Sequence, residues 1–187
     1  GLLRNLMIRI SKVGEIMVVL IAAEMNKEVE LLLDFMNSKF PEIDSLMYII
    51  NDKKNDSIHD LEPKLWKGKE HITENIDGLD FRIGAKSFFQ TNSYQTENLY
   101  RKVKEMLNPQ KEEVLWDLFS GTGSISLYLA RFVKKVIGIE IVEEAVNDAF
   151  ENARINDIKN ADFVAGDMKD VLTNEFVNKL EKPDAIV

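Results

Sequence analysis

Three carboxylates in the second half of this chain each close a short strand-like run. Asp117 ends Val114-Leu115-Trp116, Glu140 ends Val136-Ile137-Gly138-Ile139, and Asp167 follows Ala161-Asp162-Phe163-Val164-Ala165 and Gly166. After the first acid come Gly121 and Gly123, and then Ser124-Ile125-Ser126-Leu127-Tyr128-Leu129-Ala130, which reads as the opening of a helix. A strand, a tight glycine turn and a helix start in succession are the usual place for a nucleotide-like ligand in an α/β sheet.

The residues around the turn bear on which ligand that is. A dinucleotide site requires G-x-G-x-x-G, with a pyrophosphate over the helix start. Ser126 stands at the third glycine position. Asp117, four residues before Gly121, would repel a pyrophosphate and suits a ligand with a positive end. S-adenosylmethionine carries an ammonium and a sulfonium and no phosphate. Glu140 lies 23 residues after Asp117, where an acid is placed to accept the two ribose hydroxyls in either cofactor class. Gly166 allows close backbone approach to a base, and Asp167 is placed to accept from an adenine amino group. The competing reading is that acids at strand ends cap the following helix; it suits Asp167 by itself better than all three together. A nicotinamide-dependent oxidoreductase stays open as the alternative from another class.

Around these residues, the pattern from Glu113 onward alternates strand and helix, which predicts a parallel, doubly wound sheet. Ahead of it, residues 93–107 read as a helix with Asn92 and Gln95 as a capping box and with Leu99, Val103, Met106 and Leu107 as its apolar stripe. The first half reads differently. Residues 5–10 and 16–21 flank Val13-Gly14-Glu15 as a hairpin, and 28–40 form a helix stopped by Pro41. Residues 46–50 form a strand, and Asp77-Gly78 joins a second hairpin. The expected domains are therefore 1–86, a smaller α+β unit, and 87–187, the α/β sheet. The chain starts at Gly1 without an initiator Met and stops at Asp184-Ala185-Ile186-Val187, inside an expected fourth parallel strand. The expectation is an internal piece of a longer protein, with its sheet truncated.

Composition narrows the chemistry. With no cysteine among 187 residues, the chain has no disulfide, thiolate metal site or cysteine nucleophile. His59 and His71 are isolated, so no metal site is expected. The net charge of −8 is spread over both halves, with 12 basic and 15 acidic residues in 1–86 and 12 and 17 in 87–187. Neither half has the basic excess of a large nucleic-acid surface, although Lys53-Lys54 and Lys64, Lys67 and Lys69 form small local patches. No apolar run reaches the ~20 residues of a membrane span, and no signal peptide is visible, so a cytoplasmic setting is expected.

Several stretches together resemble the S-adenosylmethionine-dependent RNA uracil-5-methyltransferases, which act on 23S rRNA or tRNA. Lys86-Ser87-Phe88-Phe89-Gln90-Thr91-Asn92-Ser93 is similar to that family's S-F-F-Q-x-N segment. Asp117-Leu118-Phe119-Ser120-Gly121-Thr122-Gly123 resembles its D-L-[YF]-C-G-x-G turn, with Ser120 in place of the cysteine. Val136–Glu140 resembles its second strand, and Leu65-Trp66-Lys67-Gly68-Lys69-Glu70-His71-Ile72 its L-x-G-K-x-x-I element. The resemblance runs from about Arg9 to Val187. It implies a Rossmann-like methyltransferase sheet and a cofactor site in which Gln90 touches the methionine end. Phe119 would line the pocket and Ser124 sit beside it at the helix start. Glu140 would hold the ribose and Asp167 reach the adenine end. With Asp117, Gly121 and Gly123, these are the expected cofactor-binding residues.

The resemblance also implies the reaction. A cysteine thiolate adds to carbon 6 of uracil, and the resulting enolate attacks the sulfonium methyl through carbon 5. A base then removes the carbon 5 proton and the thiolate leaves. The family's D-P-P-R motif, nucleophile and base would follow Val187. The parent is therefore expected to be an RNA (uracil-5-)-methyltransferase, with 23S rRNA the favoured substrate. This chain alone is expected to be inactive, with no catalytic residue of its own. The alternatives to this reading are another S-adenosylmethionine methyltransferase, acting on an amino group of nucleic acid or protein, and a non-catalytic binding fragment.

Overall fold

A computed structural model describes residues 1–173 and 180–187. The chain divides into two compact units: 1–75 with 83–86, and 76–82 with 87–187.

In the first unit, β1 (Leu3–Ile10) and β2 (Ile16–Ala22) pair antiparallel. The turn between them is closed by Ser11 and Glu15, whose backbones bond at 3.0 Å. Gly14 there has φ +92°, a conformation that favours glycine. The chain then crosses through α1 (Lys27–Lys39) to β3 (Ser45–Ile50), which lies parallel to β2. Asn26 caps α1 by accepting from the Val29 N–H at 3.1 Å. Val29, Leu33 and Met36 of α1 pack on Val18, Leu20 and Ala22 of β2 and Leu46 of β3. The helix stops where the sequence places Pro41. Phe40, the last residue of the expected helix, is instead its C-cap residue and is exposed. β4 (Lys64–Gly68) completes the sheet antiparallel to β3.

The second hairpin, β5 (His71–Ile76) and β6 (Leu79–Gly84), turns at Asp77-Gly78. A boundary drawn at residue 86 assigned all of it to the first unit, whereas residues 76–82 group with the second. The reason is packing: Ile76, Leu79 and Phe81 are buried in one cluster with Tyr100, Leu127, Tyr128 and Ala149.

The second unit is an α/β sheet. After α2 (Ser93–Leu107), the strands are β7 (Val114–Asp117), β8 (Lys135–Glu140), β9 (Ala161–Ala165) and β10 (Ala185–Ile186). All pair parallel, in the order β10-β7-β8-β9. Between them run α3 (Ser124–Ala130), α4 (Glu143–Ile155) and the single turn α5 (Met168–Val171). The rest of the helix expected before β10 falls on residues outside those described. β7 is buried at every position, as a central parallel strand should be. Leu115 and Val136 face one core with α2, α3 and α4, while Val114, Trp116, Ile137 and Ile139 face another with Met168, Val171 and Leu180. This two-sided burial gives the Rossmann-like, doubly wound architecture expected from the alternation.

One expectation about α2 fails. Leu99 and Met106, read as part of its apolar stripe, are exposed. The inward face is Thr96 and Tyr100, fully buried, with Val103 and Leu107 packed against the core. A buried tyrosine and threonine carry hydroxyls that sequence hydropathy underrates. Here Thr96 Oγ1 is satisfied by the Asn92 carbonyl at 2.9 Å. Among the described residues no helix is long and apolar enough to cross a membrane.

Candidate cofactor site

The strand order locates the site. From β7 the chain winds outward through β8 and β9, then returns to β10 on the opposite side of β7. The carboxyl end of β7 is therefore the topological switch point, where α/β sheets open a crevice for ligands. Asp117 is the last residue of β7, and Glu140 the last of the adjoining β8.

Asp117 is 4% exposed. Its Oδ2 accepts from the Ser126 hydroxyl at 2.5 Å, and its Oδ1 from the Phe119 N–H at 3.3 Å. Burial pushes its pKa up, and the nearby Glu140 charge adds to this, while the two hydrogen bonds oppose it. An anionic group kept partly desolvated in this way is suited to a cationic ligand group.

Glu140 shapes the turn. Its Oε2 accepts from the Gly121 N–H at 2.9 Å and its Oε1 from the Val142 N–H at 2.9 Å. A carboxylate has about four lone-pair positions, so two remain for other donors such as vicinal hydroxyls. Gly121 and Gly123 have φ +52° and +79°. At Gly123 an added Cβ would come within 2.9 Å of the Phe163 ring and 3.0 Å of Ala149. That glycine is needed both for its conformation and for the close seat of the turn on α4 and β9. The turn's backbone is also held from α4: Asn152 Nδ2 donates to the Thr122 carbonyl at 3.0 Å, and its Oδ1 accepts from the Arg82 N–H at 2.8 Å.

The remaining expected residues differ in how they join this group. Ser124 opens α3, and its Oγ lies 2.6 Å from the Tyr100 hydroxyl of α2. Phe119 is 79% exposed beside the turn, an apolar ring of a kind that a bound base would cover. Gln90 lies apart from the hydrogen bonds of the turn, in the segment before α2. There it lines an open groove of about 490 Å³ with Thr91, Asn92, Gln95, Thr96, Asn98 and Leu99. Asp167 caps α5, accepting from the Lys169 N–H at 3.0 Å and pairing with the Lys169 ammonium at 2.9 Å. The Lys169 ammonium, and then its backbone N–H, lower the Asp167 pKa. The capping role recognised for this acid in the sequence is the one it fills here.

Three positioning residues were not singled out from the sequence: Tyr100, Asn152, and Ser126 as a hydrogen-bond donor. Asn152 had a legible signal, since it falls on the buried stripe of α4 with Val146, Ala149 and Ala153. A buried amide on an apolar face has backbone or side-chain partners to satisfy. Exposed Ile141 and Val142 follow Glu140 at the same edge of the sheet and add apolar surface there. Among the described residues no group of side chains could hold a metal ion.

Residues 109–187 match the family model described as a methyltransferase domain. The chain is 51% identical over 191 residues to an uncharacterized RNA methyltransferase of Bacteroides thetaiotaomicron, covering all of this chain and 42% of that protein. It is 46% identical to another of Porphyromonas gingivalis, covering all of this chain and 40% of that protein. The chain thus spans about two fifths of the length of these relatives. Among solved structures it resembles the tRNA (uracil-54, C5)-methyltransferase of Pyrococcus abyssi in complex with S-adenosyl-L-homocysteine. Identity there is 37% and the TM-score 0.73, over 89% of this chain and 40% of that one. This chain is similar along its whole length to proteins named RNA methyltransferases, and residues 109–187, within its second unit, match a methyltransferase domain model. The resemblance seen in Ser87–Ser93 and the glycine turn is thus shared well beyond those motifs.

Proposed function

We propose that the protein containing this chain transfers a methyl group from S-adenosylmethionine to carbon 5 of a uridine in RNA, and that this chain supplies the cofactor-binding half of the site. The observation that carries the cofactor reading is the Asp117–Ser126 pair at the switch point. Its buried acid suits the ammonium of the cofactor's amino-acid end and repels the pyrophosphate of a dinucleotide. Glu140, at the end of the neighbouring strand, takes the ribose hydroxyls. Phe119 covers the nucleoside, Gln90 faces the methionine end, and Asp167 or the backbone beside it meets the adenine. The 37% identity to a tRNA uracil-C5 methyltransferase supports the uridine reading, as does the Ser87–Asn92 segment.

When bound, the cofactor supplies the electrophilic methyl. This chain's own residues bind it and orient it. The chain has no cysteine, so the thiolate that activates carbon 6 is supplied by other parts of the longer protein. The target base must also leave its stack for carbon 6 to be reached. Incubating the full-length protein with 23S rRNA and with tRNA and labelled S-adenosylmethionine, then digesting to nucleosides, tests the reading. The expected product is 5-methyluridine, with the productive RNA identifying the substrate and 23S rRNA the first candidate. The 187-residue chain alone should yield none. Label found only on exocyclic amino groups would overturn the uridine assignment.

A further inference from the structure

We propose that Tyr100 is a positioning residue: it fixes the Ser124 hydroxyl as a hydrogen-bond donor to the carboxylate of the bound cofactor. This rests on the S-adenosylmethionine reading above.

The geometry begins with α2. Tyr100 is 4% exposed, in one cluster with Leu115, Leu127 and Tyr128. Its ring packs on Tyr128 with centroids 5.5 Å apart, and its hydroxyl lies 2.6 Å from Ser124 Oγ. Two proton arrangements satisfy that distance. If Ser124 donates to Tyr100, the phenolic proton is left in an apolar cluster without an acceptor, which is costly. If Tyr100 donates to Ser124, the buried phenol is satisfied and the serine proton turns away from it. Ser124 is only half-buried, so its proton can serve a ligand. The second arrangement is the one burial selects. Burial, reinforced by the Asp117 charge, also holds the Tyr100 pKa above its ordinary value, so the phenol remains a donor at neutral pH.

The cofactor's chemistry then identifies the acceptor. Glu140 is an acceptor and suits the ribose hydroxyls. Asp117 is an acceptor and suits the ammonium. The carboxylate, attached to the same carbon as that ammonium, is the strongest acceptor left to satisfy. Ser124 stands one residue after Gly123 and two before Ser126, which holds Asp117. A donor hydroxyl at this point is placed beside the amino-acid end. Phenylalanine at position 100 would keep the ring packing and remove only the orienting bond.

Calorimetric titration with two probes tests this. S-adenosylhomocysteine carries the amino-acid end; 5′-methylthioadenosine keeps the nucleoside and sulfur but lacks it. Ser124→Ala should weaken S-adenosylhomocysteine binding about 10-fold, as expected for one bond to a charged group. Tyr100→Phe should weaken it about 3- to 10-fold. Neither should change methylthioadenosine binding, the double variant should be no weaker than Ser124→Ala, and Ser124→Thr should restore most of the loss. Equal losses for both probes would mean a distorted turn and would overturn the inference, as would no loss for either. Ser124→Ala leaves the Tyr100 ring in place, so the two-probe comparison on it decides the matter even if Tyr100→Phe unfolds. A wild-type protein that binds neither probe would instead overturn the cofactor reading, and this inference with it.

Discussion

The Ser126 hydroxyl donates to the buried Asp117 carboxylate at 2.5 Å, so two departures from a dinucleotide fingerprint are parts of one feature. The residue that replaces the third glycine holds the acid that repels a pyrophosphate. Ser126→Ala would leave Asp117 with only the Phe119 N–H and should cost about 1.5–3 kcal/mol of stability, the usual range for a bond to a charged group. Urea denaturation of wild type and variant measures this. A loss below about 0.5 kcal/mol would mean that the bond is replaced by water.

Asp117 also gives a pH dependence with a definite sign. Burial raises its folded pKa above the unfolded value. As pH falls from neutral, the folded state therefore takes up this proton before the unfolded state does. Asp117 is most destabilising at neutral pH and is relieved as pH drops through its folded pKa towards the ordinary aspartate range. Relative to Asp117→Asn, which does not titrate, wild type should gain stability over that fall. Denaturation curves for both proteins at a series of pH values would show it, and a relative loss would reverse the assigned shift.

The two turn glycines should respond differently to alanine. At Gly123 an added Cβ meets the Phe163 ring and Ala149, with φ +79°. At Gly121, with φ +52°, nothing lies within 4 Å. Gly121→Ala should therefore cost only about 1–2 kcal/mol of backbone strain. Gly123→Ala should cost more, about 3 kcal/mol, because overpacking is added to strain. Thermal or urea unfolding ranks the two, and the reverse order would contradict the packing described.

Glu140 braces the turn and is proposed to hold the ribose, two roles that can be separated. Glu140→Ala should lower S-adenosylhomocysteine affinity by about 1.5–3 kcal/mol if its bonds to the ribose are charge-assisted. It should also lower stability, because the Gly121 and Val142 N–H groups lose their acceptor. Calorimetry and unfolding measured on the same variant distinguish these effects. Lost stability with unchanged affinity would remove Glu140 from the site and leave it a turn brace.

Much of this was legible in the residues because the signals were local. The apolar run before Asp117, the glycine turn and the strand–helix alternation specify a parallel sheet, and the edge proposed for the ligand, without long-range information. What could not be read depended on tertiary partners. The tip of the second hairpin joins the second unit because Ile76, Leu79 and Phe81 find their neighbours there. The inward face of α2 is set by Thr96 and Tyr100, whose hydroxyls have partners in Asn92 and Ser124. Asp167 caps α5 and pairs with Lys169 two residues on, a local role that stands beside the adenine contact proposed for it.

The occupant of the glycine turn is best decided by titrating the purified protein with S-adenosylhomocysteine and with NAD, in wild type and in Asp117→Asn. Wild type should bind S-adenosylhomocysteine and take NAD weakly or not at all. Asp117→Asn should lose S-adenosylhomocysteine affinity by about 1–3 kcal/mol as the ammonium loses its partner. Tighter binding of NAD than of S-adenosylhomocysteine by wild type would contradict the methyltransferase cofactor site.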